Sequence, residues 1–249
     1  MDYPLQYQRV HLLIELASGL WILDTGSPTS FGQVAKLELA GQAFGVVQNL
    51  MGLTARTLSS LSGLDVQGLL GTDLLNAFDL LFDLPAGRVI ISQSAITLEG
   101  VCMPIDMVMG IPAVHVHIKD QETTMFFDTG SSLCYWQDER LTEYPLYDTR
   151  KDFFPGVGEF EVTTYQVPLS LNDQPFESIC GILPELLGLP LSLLGVDGIL
   201  GNGFMTNQQV AYLPKRGQLV LFMSLTIGLG VLFLSLQAYE YSHAYSELN

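Results

Sequence analysis

The chain has 249 residues, enough for one large domain or two modest ones with a buried core. Hydrophobic residues make up 48% and charged residues only 14%, which excludes a disordered chain and a solvated coiled coil. The formal net charge of -16 repels phosphate backbones, so we expect no nucleic-acid partner. Three cysteines without a Cys-x-x-Cys spacing argue against both a disulfide framework and a zinc ribbon.

Short apolar or alternating runs bounded by Gly, Ser or Pro predict an all-β chain. The predicted strands are residues 11–16, 20–23, 34–39 and 89–91 in the first half, and residues 114–118, 124–127, 160–171 and 219–222 in the second. Short helices are predicted at 73–78 and around 184–187. Ser, Gly and Pro interrupt the pattern over residues 93–110, which we interpret as a linker.

The two ends of the chain bear on its location. The first residues contain no basic stretch followed by an apolar run, so no secretory signal is predicted. An uncharged apolar run begins at Leu219 and ends at Leu236, just long enough for a membrane helix. Lys215 and Arg216 precede this run, so the positive-inside rule places the main domain in the cytoplasm if the run spans a bilayer.

The alternative for this run is that its first four residues form a core strand. About 14 apolar residues then remain for a buried helix or hairpin. The sequence therefore predicts a protein that is either cytoplasmic or anchored by residues 219–236 with its main domain in the cytoplasm.

An internal repeat is the strongest signal in the sequence. Trp-Ile-Leu-Asp-Thr-Gly-Ser at 21–27 recurs as Met-Phe-Phe-Asp-Thr-Gly-Ser at 125–131, 104 positions later. Further matches follow in the same order, namely residues 37–44 with 169–176, residues 68–71 with 198–201, and residues 84–91 with 213–221. Four matches in one order imply two copies of one structural unit.

The two Asp-Thr-Gly turns suggest a chemistry. Asp24 and Asp128 each follow an apolar strand and precede a Gly that permits a tight turn. If the two units pair about a pseudo-twofold axis, the two carboxyls meet, and like charges that close cannot both ionise. Such a pair shares one proton, so one carboxylate can deprotonate a water while the other acid polarises a peptide carbonyl.

The two Asp-Thr-Gly-Ser motifs, each followed by an apolar-apolar-Gly segment (69–71 and 199–201), resemble the pepsin-like and retropepsin-like aspartic proteases. The shared-proton mechanism is well established in that family. The resemblance covers about residues 5–222. It implies two pseudo-twofold-related, retropepsin-like β lobes, residues 1–98 and 99–222, followed by a hydrophobic tail at 223–249.

The same resemblance implies an endopeptidase that acts on polypeptide with no cofactor and no metal. Because both Asp residues lie in one chain, catalysis should not require a dimer. Asp24 and Asp128 are the implied catalytic pair. The implied supporting residues are Thr25 and Thr129, which hydrogen-bond across the lobe interface, Gly26 and Gly130, which let backbone amides approach, and Ser27 and Ser131, whose hydroxyls bind the outer carboxylate oxygens.

The two halves differ in one spacing. Thirteen positions separate Asp24 from Leu37, whereas 41 separate Asp128 from the matching Leu169, a difference of 28. The extra segment contains two β-prone arms around Pro-Gly-Val-Gly, which predicts a hairpin over residues 152–165. It resembles the family's substrate-covering flap, with Gly156, Val157 and Gly158 at its tip. A single flap on the second lobe departs from pepsin, which carries it on the first, and from retropepsin dimers, which carry two. The alternative is an ordinary surface hairpin.

Three other interpretations are weaker. A catalytically inactive peptide-binding module would keep the same fold, but both Asp, both Gly and both Ser residues are present. An actin-like or sugar-kinase-like ATPase would need long helices between strands, and helical periodicity is scarce before residue 219. His115 and His117 lie on one side of a strand without an evident third metal ligand, so we interpret them as surface residues.

Overall fold

The computed structural model describes residues 1–154, 157–222 and residue 237, and this part of the chain is mostly β, as predicted. The strands of the first half are β1 Asp2–Gln8, β2 His11–Leu16, β3 Gly19–Leu23, β4 Phe31–Gly32, β5 Lys36–Leu39, β6 Gln42–Gly45, β7 Asn49–Leu50, β8 Leu53–Thr54, β9 Gly68–Leu70, β10 Asp79–Asp83 and β11 Arg88–Ser92. Those of the second half are β12 Val101–Pro104, β13 Asp106–Val108, β14 Ile111–Ile118, β15 Gln121–Asp128, β16 Cys134–Trp136, β17 Leu146–Phe154, β18 Gly158–Leu171, β19 Gln174–Gly181, β20 Gly198–Gly201, β21 Gln209–Leu213 and β22 Gln218–Leu221.

The described helices are short. They are α1 Ala55–Ser62, α2 Thr72–Leu75 and α3 Glu185–Leu193, with 3-10 turns at Glu139–Glu143, Asn202–Met205 and Pro214–Arg216. Helices α2 and α3 lie where they were predicted, but α1 was missed. Its ends carry standard signals, since the hydroxyl of Thr54 accepts a hydrogen bond from the backbone N–H of Thr57 and Gly63 ends the helix in a left-handed conformation.

Each predicted strand overlaps an observed one, but the predicted linker is wrong in part. Residues 93–110 contain β12 and β13. Strand β12 (4 residues) pairs with β22, and β13 (3 residues) pairs with β14, so the second part of this segment belongs to sheets. The Ser, Gly and Pro residues interrupt the strands without preventing them.

Two large sheets organise the described chain. The larger has ten strands in the order β12-β22-β21-β10-β11-β1-β2-β3-β9-β4, and the smaller has eight in the order β13-β14-β15-β20-β16-β19-β18-β17. The ten-stranded sheet draws strands from both halves of the chain. They join where β10 pairs with β21 in antiparallel fashion, with Leu80 opposite Tyr212.

The same local pairing surrounds both Asp-Thr-Gly turns. Strand β3 leads to the first turn and runs parallel to β9, while β15 leads to the second and runs parallel to β20. In each case a third strand, β4 or β16, lies antiparallel on the other side of the glycine-containing strand. The end of each Asp strand is therefore fixed by a neighbour that arrives from later in the sequence.

Besides a main core that spans both halves, two smaller apolar clusters lie next to the Asp strands. The first-half cluster consists of Leu13, Ile22, Phe31, Leu53, Val66 and Leu69. The second-half cluster consists of Ala113, Phe126, Leu133, Tyr135, Val162, Leu183, Leu187, Leu191, Val196 and Ile199. Because strand side chains alternate between faces, Ile22 shares a face with Asp24, and Phe126 shares a face with Asp128.

Part of the apolar run that begins at Leu219 is sheet. Leu219, Val220 and Leu221 are buried in β22, in agreement with the alternative of a core strand. Phe222 is also described, whereas residues 223–236 of the run lie outside the described residues. In the described part of the chain, no helix is both long enough and apolar enough to cross a membrane.

Candidate active site

The two predicted carboxyls are held by their own turns in the same way. Asp24 follows β3 and its backbone N–H donates to the carbonyl of Leu70, while Asp128 is the last residue of β15. Oδ1 of Asp24 accepts hydrogen bonds from the backbone N–H groups of Gly26 and Ser27, each at 2.9 Å. Oδ1 of Asp128 accepts from Gly130 at 2.8 Å and Ser131 at 3.1 Å.

The threonines join the two turns. Thr25 Oγ1 donates to the carbonyl of Phe127 at 2.6 Å and accepts from the backbone N–H of Thr129 at 3.0 Å. Thr129 Oγ1 in turn donates to the carbonyl of Leu23 at 2.9 Å and accepts from the N–H of Thr25 at 3.0 Å. Both side chains are fully buried, so these four bonds are shielded from competing water.

The glycines allow the two carboxyls to approach each other. A Cβ atom built on Gly26 would overlap the carboxyl of Asp128, and one built on Gly130 would overlap the carboxyl of Asp24. Each carboxyl therefore lies directly against the backbone of the opposite turn. Any larger residue at either position would push the pair apart.

The electrostatics of the pair favour one retained proton. Burial raises the pKa of Asp24 well above its ordinary value, and the charge of Asp128 and a hydrogen bond to it raise this pKa further. Burial also raises the pKa of Asp128, although hydrogen bonds from Gly130 and from Asp24 act in the opposite direction. The two carboxyls therefore titrate as a pair, and burial together with their mutual charge favours one proton held between them.

The serines differ from expectation. Their backbone N–H groups bind the carboxyls, but their hydroxyls do not. Ser27 Oγ donates to the carbonyl of Thr29 at 3.0 Å, and Ser131 Oγ donates to the carbonyl of Leu133 at 2.8 Å. The hydroxyls therefore close the turns locally, by donating to a carbonyl two residues ahead.

A buried asparagine supports the second turn and was not identified from the sequence. Asn202 follows Gly201, and its Nδ2 donates to the carbonyls of Thr129 and Val10, both at 2.9 Å. Its Oδ1 accepts a hydrogen bond from the hydroxyl of Tyr7. The side chain thus ties the β1–β2 turn to the second Asp-Thr-Gly turn. The signal in the sequence was an Asn directly after the apolar-apolar-Gly motif, and the structure buries its side chain completely.

The extra segment of the second half forms a hairpin, as the spacing suggested. Its arms are β17 and β18, which pair from Leu146 opposite Tyr165 to Phe154 opposite Gly158. At the tip, the N–H of Val157 donates to the carbonyl of Phe154, and Gly158 adopts a φ of 97°. Gly156, the remaining predicted tip residue, lies outside the described residues.

The hairpin contacts both apolar clusters. Phe153 on β17 packs against the first-half cluster, and Phe160 on β18 packs against the second-half cluster. The arms therefore reach from one Asp strand to the other. This places the hairpin beside the carboxyl pair.

Three further polar groups near the pair were also missed. The hydroxyl of Tyr135 donates to Oδ2 of Asp152 on the hairpin. His11 lies near Asp152 and Gly130, and burial, the largest effect on its imidazole, lowers its pKa. Tyr135 lies seven residues after Asp128, and Phe31 lies seven residues after Asp24, so the two aromatic residues occupy equivalent positions in the repeat. The repeat does not indicate that Tyr135 binds Asp152.

Other titratable residues have structural explanations. His115 lies 3.2 Å from Asp106, and His117 lies 3.5 Å from Glu122, on a largely exposed sheet face. The thiol of Cys134 is buried, and the neighbouring Cys180 together with burial raises its pKa well above its ordinary value. In the described ranges, no three His, Cys, Asp or Glu side chains converge as metal ligands.

Comparison with known proteins adds nothing to this assignment. No protein-family model matches the chain, and no curated protein matches it at a significant level. The functional interpretation therefore depends on the residues and geometry of the site.

Proposed function

We propose that this protein is a single-chain aspartic endopeptidase with an acid-protease fold of two retropepsin-like β lobes. The observation that carries the proposal is the pair Asp24 and Asp128. Each carboxyl is fixed by two N–H groups of its own turn and lies against the glycine of the other. The equivalent strand pairing around the two turns supports the interpretation of two related units.

The proposed reaction begins with one proton shared by the pair. A water between the carboxyls loses a proton to the ionised carboxylate, and its oxygen bonds to the peptide carbonyl carbon. The protonated carboxyl gives its proton to the carbonyl oxygen, which produces a neutral tetrahedral diol. The C–N bond then breaks, the nitrogen takes the proton of the pair, and one hydroxyl of the diol returns a proton to the pair, so the products are a carboxylic acid and an amine. The pair regains its single proton, and no cofactor takes part.

Substrate is expected to bind as an extended chain along the two apolar clusters. Ile22 and Phe126 share their strand faces with Asp24 and Asp128, so apolar side chains on either side of the scissile bond would meet apolar walls. The hairpin would lie over the chain and exclude water. Because Phe153 and Phe160 occupy these clusters in the structure, substrate entry would require the hairpin to move.

Cleavage of an unstructured protein such as casein, between about pH 3 and about pH 8, tests the proposal. Asp24→Asn and Asp128→Asn should each abolish cleavage, and a statine-type transition-state mimic should inhibit the unaltered protein. Cleavage that survives either substitution would contradict the proposal. A folded protein that binds peptides and cleaves none would instead be a binding module.

We also propose that the uncharged residues after strand β22, 223–236, anchor the protein, with the catalytic part in the cytoplasm. The support is the uncharged sequence after Lys215 and Arg216. The full chain should then remain with membranes after alkaline extraction, and Leu229→Arg should release it. Complete extraction of the unaltered chain would contradict the anchor.

A further inference from the structure

Asp152 is a third carboxylate beside the catalytic pair, and the proposed mechanism does not use it. Both of its oxygens are held in place. Oδ2 accepts a hydrogen bond from the hydroxyl of Tyr135, and Oδ1 accepts one from the backbone N–H of Phe153 at 2.7 Å. Because Tyr135 is buried in the second-half cluster, the carboxylate has a fixed orientation on the hairpin.

The charge of Asp152 reaches the catalytic pair. Burial is the main cause that raises the pKa of Asp128, and the negative charge of Asp152 raises it further. Asp152 also acts on His11, whose pKa is lowered by burial despite this neighbouring carboxylate. His11 therefore lies near Asp152, and burial opposes the protonation of its imidazole.

In the described part of the chain, no Lys or Arg side chain pairs with Asp152. All ten Lys and Arg residues of the chain lie in the described part. Five of them pair with carboxylates elsewhere, namely Arg88, Lys119, Arg140, Arg150 and Arg216. Among the described residues, no Lys, Arg or His nitrogen lies within 4.0 Å of a carboxylate oxygen of Asp24, Asp128 or Asp152. Lys151 is next in sequence to Asp152 but projects from the opposite face of β17.

The region beneath the hairpin thus combines a carboxyl pair that shares one proton with a partly buried carboxylate that has no Lys or Arg partner among the described residues. A substrate carboxylate would be repelled there, whereas a substrate cation would pair with a group already oriented to receive it. The apolar clusters beside it would accommodate the methylene stem of a long basic side chain.

We propose that Asp152 is a specificity-determining residue, which favours polypeptides that bring a Lys or Arg side chain beneath the hairpin. This inference rests on the proposed endopeptidase function. It assigns a preference that the catalytic pair and the apolar clusters do not supply.

The test compares pairs of peptides that differ at one position, where one peptide carries Lys and the other carries the uncharged norleucine. Each position around the scissile bond is varied in turn. In the unaltered protein, Lys should raise kcat/KM about tenfold at one position, the range expected for a partly buried charge pair. Asp152→Asn should bring this ratio close to one, and Asp152→Glu should retain most of it. Asp152→Ser replaces the Asn variant if thermal unfolding shows that the latter does not fold.

Glu159→Gln is the matched control. Glu159 is exposed on the same hairpin and lies opposite Phe153 in the β17–β18 pairing, on the other face of the hairpin from Asp152. Its substitution therefore removes one negative charge, as Asp152→Asn does, but away from the catalytic pair. It should leave the Lys-to-norleucine ratio unchanged. A ratio near one in the unaltered protein, or one that Asp152→Asn does not change, would overturn the inference and leave the protease proposal intact.

If the unaltered protein cleaves neither peptide, the proposed function fails. Binding of the same peptide pair, measured by fluorescence anisotropy, then decides the inference separately. Tighter binding of the Lys peptide that is lost in Asp152→Asn supports a cation subsite. Equal binding of both peptides overturns it.

Discussion

Thr25 and Thr129 exchange hydrogen bonds, since the side-chain oxygen of each accepts the backbone N–H of the other at 3.0 Å. These residues are 104 positions apart, and each hydroxyl also donates to the carbonyl two residues before the opposite threonine. The two turns are therefore held in one mutual orientation by four buried hydrogen bonds. That orientation sets the separation of Asp24 from Asp128.

Thr25→Val should destabilise the protein and abolish the proposed cleavage. Valine keeps the shape of threonine but leaves the N–H of Thr129 and the carbonyl of Phe127 buried without partners. Unsatisfied groups of this kind cost about 1–3 kcal/mol each, so the free energy of unfolding in urea should fall by about 2 kcal/mol or more. Thr25→Ser keeps the hydroxyl and should lose less than half of that. Equal losses in the two variants would show that the hydroxyl is not what matters.

Asp24→Asn should make the protein more stable at neutral pH. A carboxyl whose pKa folding raises contributes fully to stability below its unfolded pKa, about 3.9, and loses that contribution as the pH rises through the folded value. Asparagine never ionises and can still accept the N–H bonds of Gly26 and Ser27. Thermal unfolding should therefore show a midpoint higher by several degrees at pH near 7, and by little at pH near 3.

Asp120→Asn is the control for this experiment, because Asp120 lies in the exposed turn between β14 and β15. It should change the unfolding midpoint little at either pH. A stabilisation by Asp24→Asn that is independent of pH would contradict the raised pKa of Asp24.

Gly130→Ala should remove activity with a comparatively small loss of stability. The added methyl would overlap the carboxyl of Asp24, which must move away from Asp128. A displacement of about 1 Å costs catalysis roughly a hundredfold, so kcat/KM should fall at least that far. Gly45→Ala is a suitable control, since a Cβ at Gly45 meets no atom within 4 Å. Unchanged cleavage by Gly130→Ala would show that the two carboxyls do not act together.

Phe153→Ala should loosen the hairpin. Phe153 anchors β17 to the first-half cluster, whereas its neighbour Phe154 is 41% exposed. Limited digestion by an added protease should cut near the hairpin tip several times faster in Phe153→Ala than in Phe154→Ala. Equal digestion rates would mean that the contact with the first-half cluster does not hold the hairpin in solution.

The strands around the two turns could be predicted well, because a similar short apolar pattern precedes each turn. Each occurrence alone is a weak strand signal, and the second supports the assignment of the first. The carboxyl pair follows from the same alignment, since Asp24 and Asp128 occupy identical positions in the two copies. The hairpin could be placed because one copy has 28 extra positions. These predictions required only the order of residues along the chain, and an alignment of the two repeats gives that order directly.

The contacts of Tyr135 with Asp152 and of Asn202 with Val10 could not be predicted. Each contact joins two residues that belong to no common sequence motif. Each also depends on the tertiary positions of the two side chains. The hydroxyls of Ser27 and Ser131 were assigned to the wrong acceptor for a similar reason. A turn offers a hydroxyl several acceptors within reach, and only the folded geometry selects one.

The junction of β10 with β21 has a consequence for biosynthesis. Strand β10 ends at Asp83, but its partner begins at Gln209, so the ribosome must add more than a hundred residues before that edge can be covered. Until then Leu80, Leu81 and Phe82 lie on a strand with one set of backbone groups unpaired, the arrangement that invites pairing between separate chains. The nascent first half should therefore depend on chaperones and on dilute, slow synthesis. Overproduction of residues 1–98 alone should yield aggregates, even though that half contains one complete Asp-Thr-Gly turn.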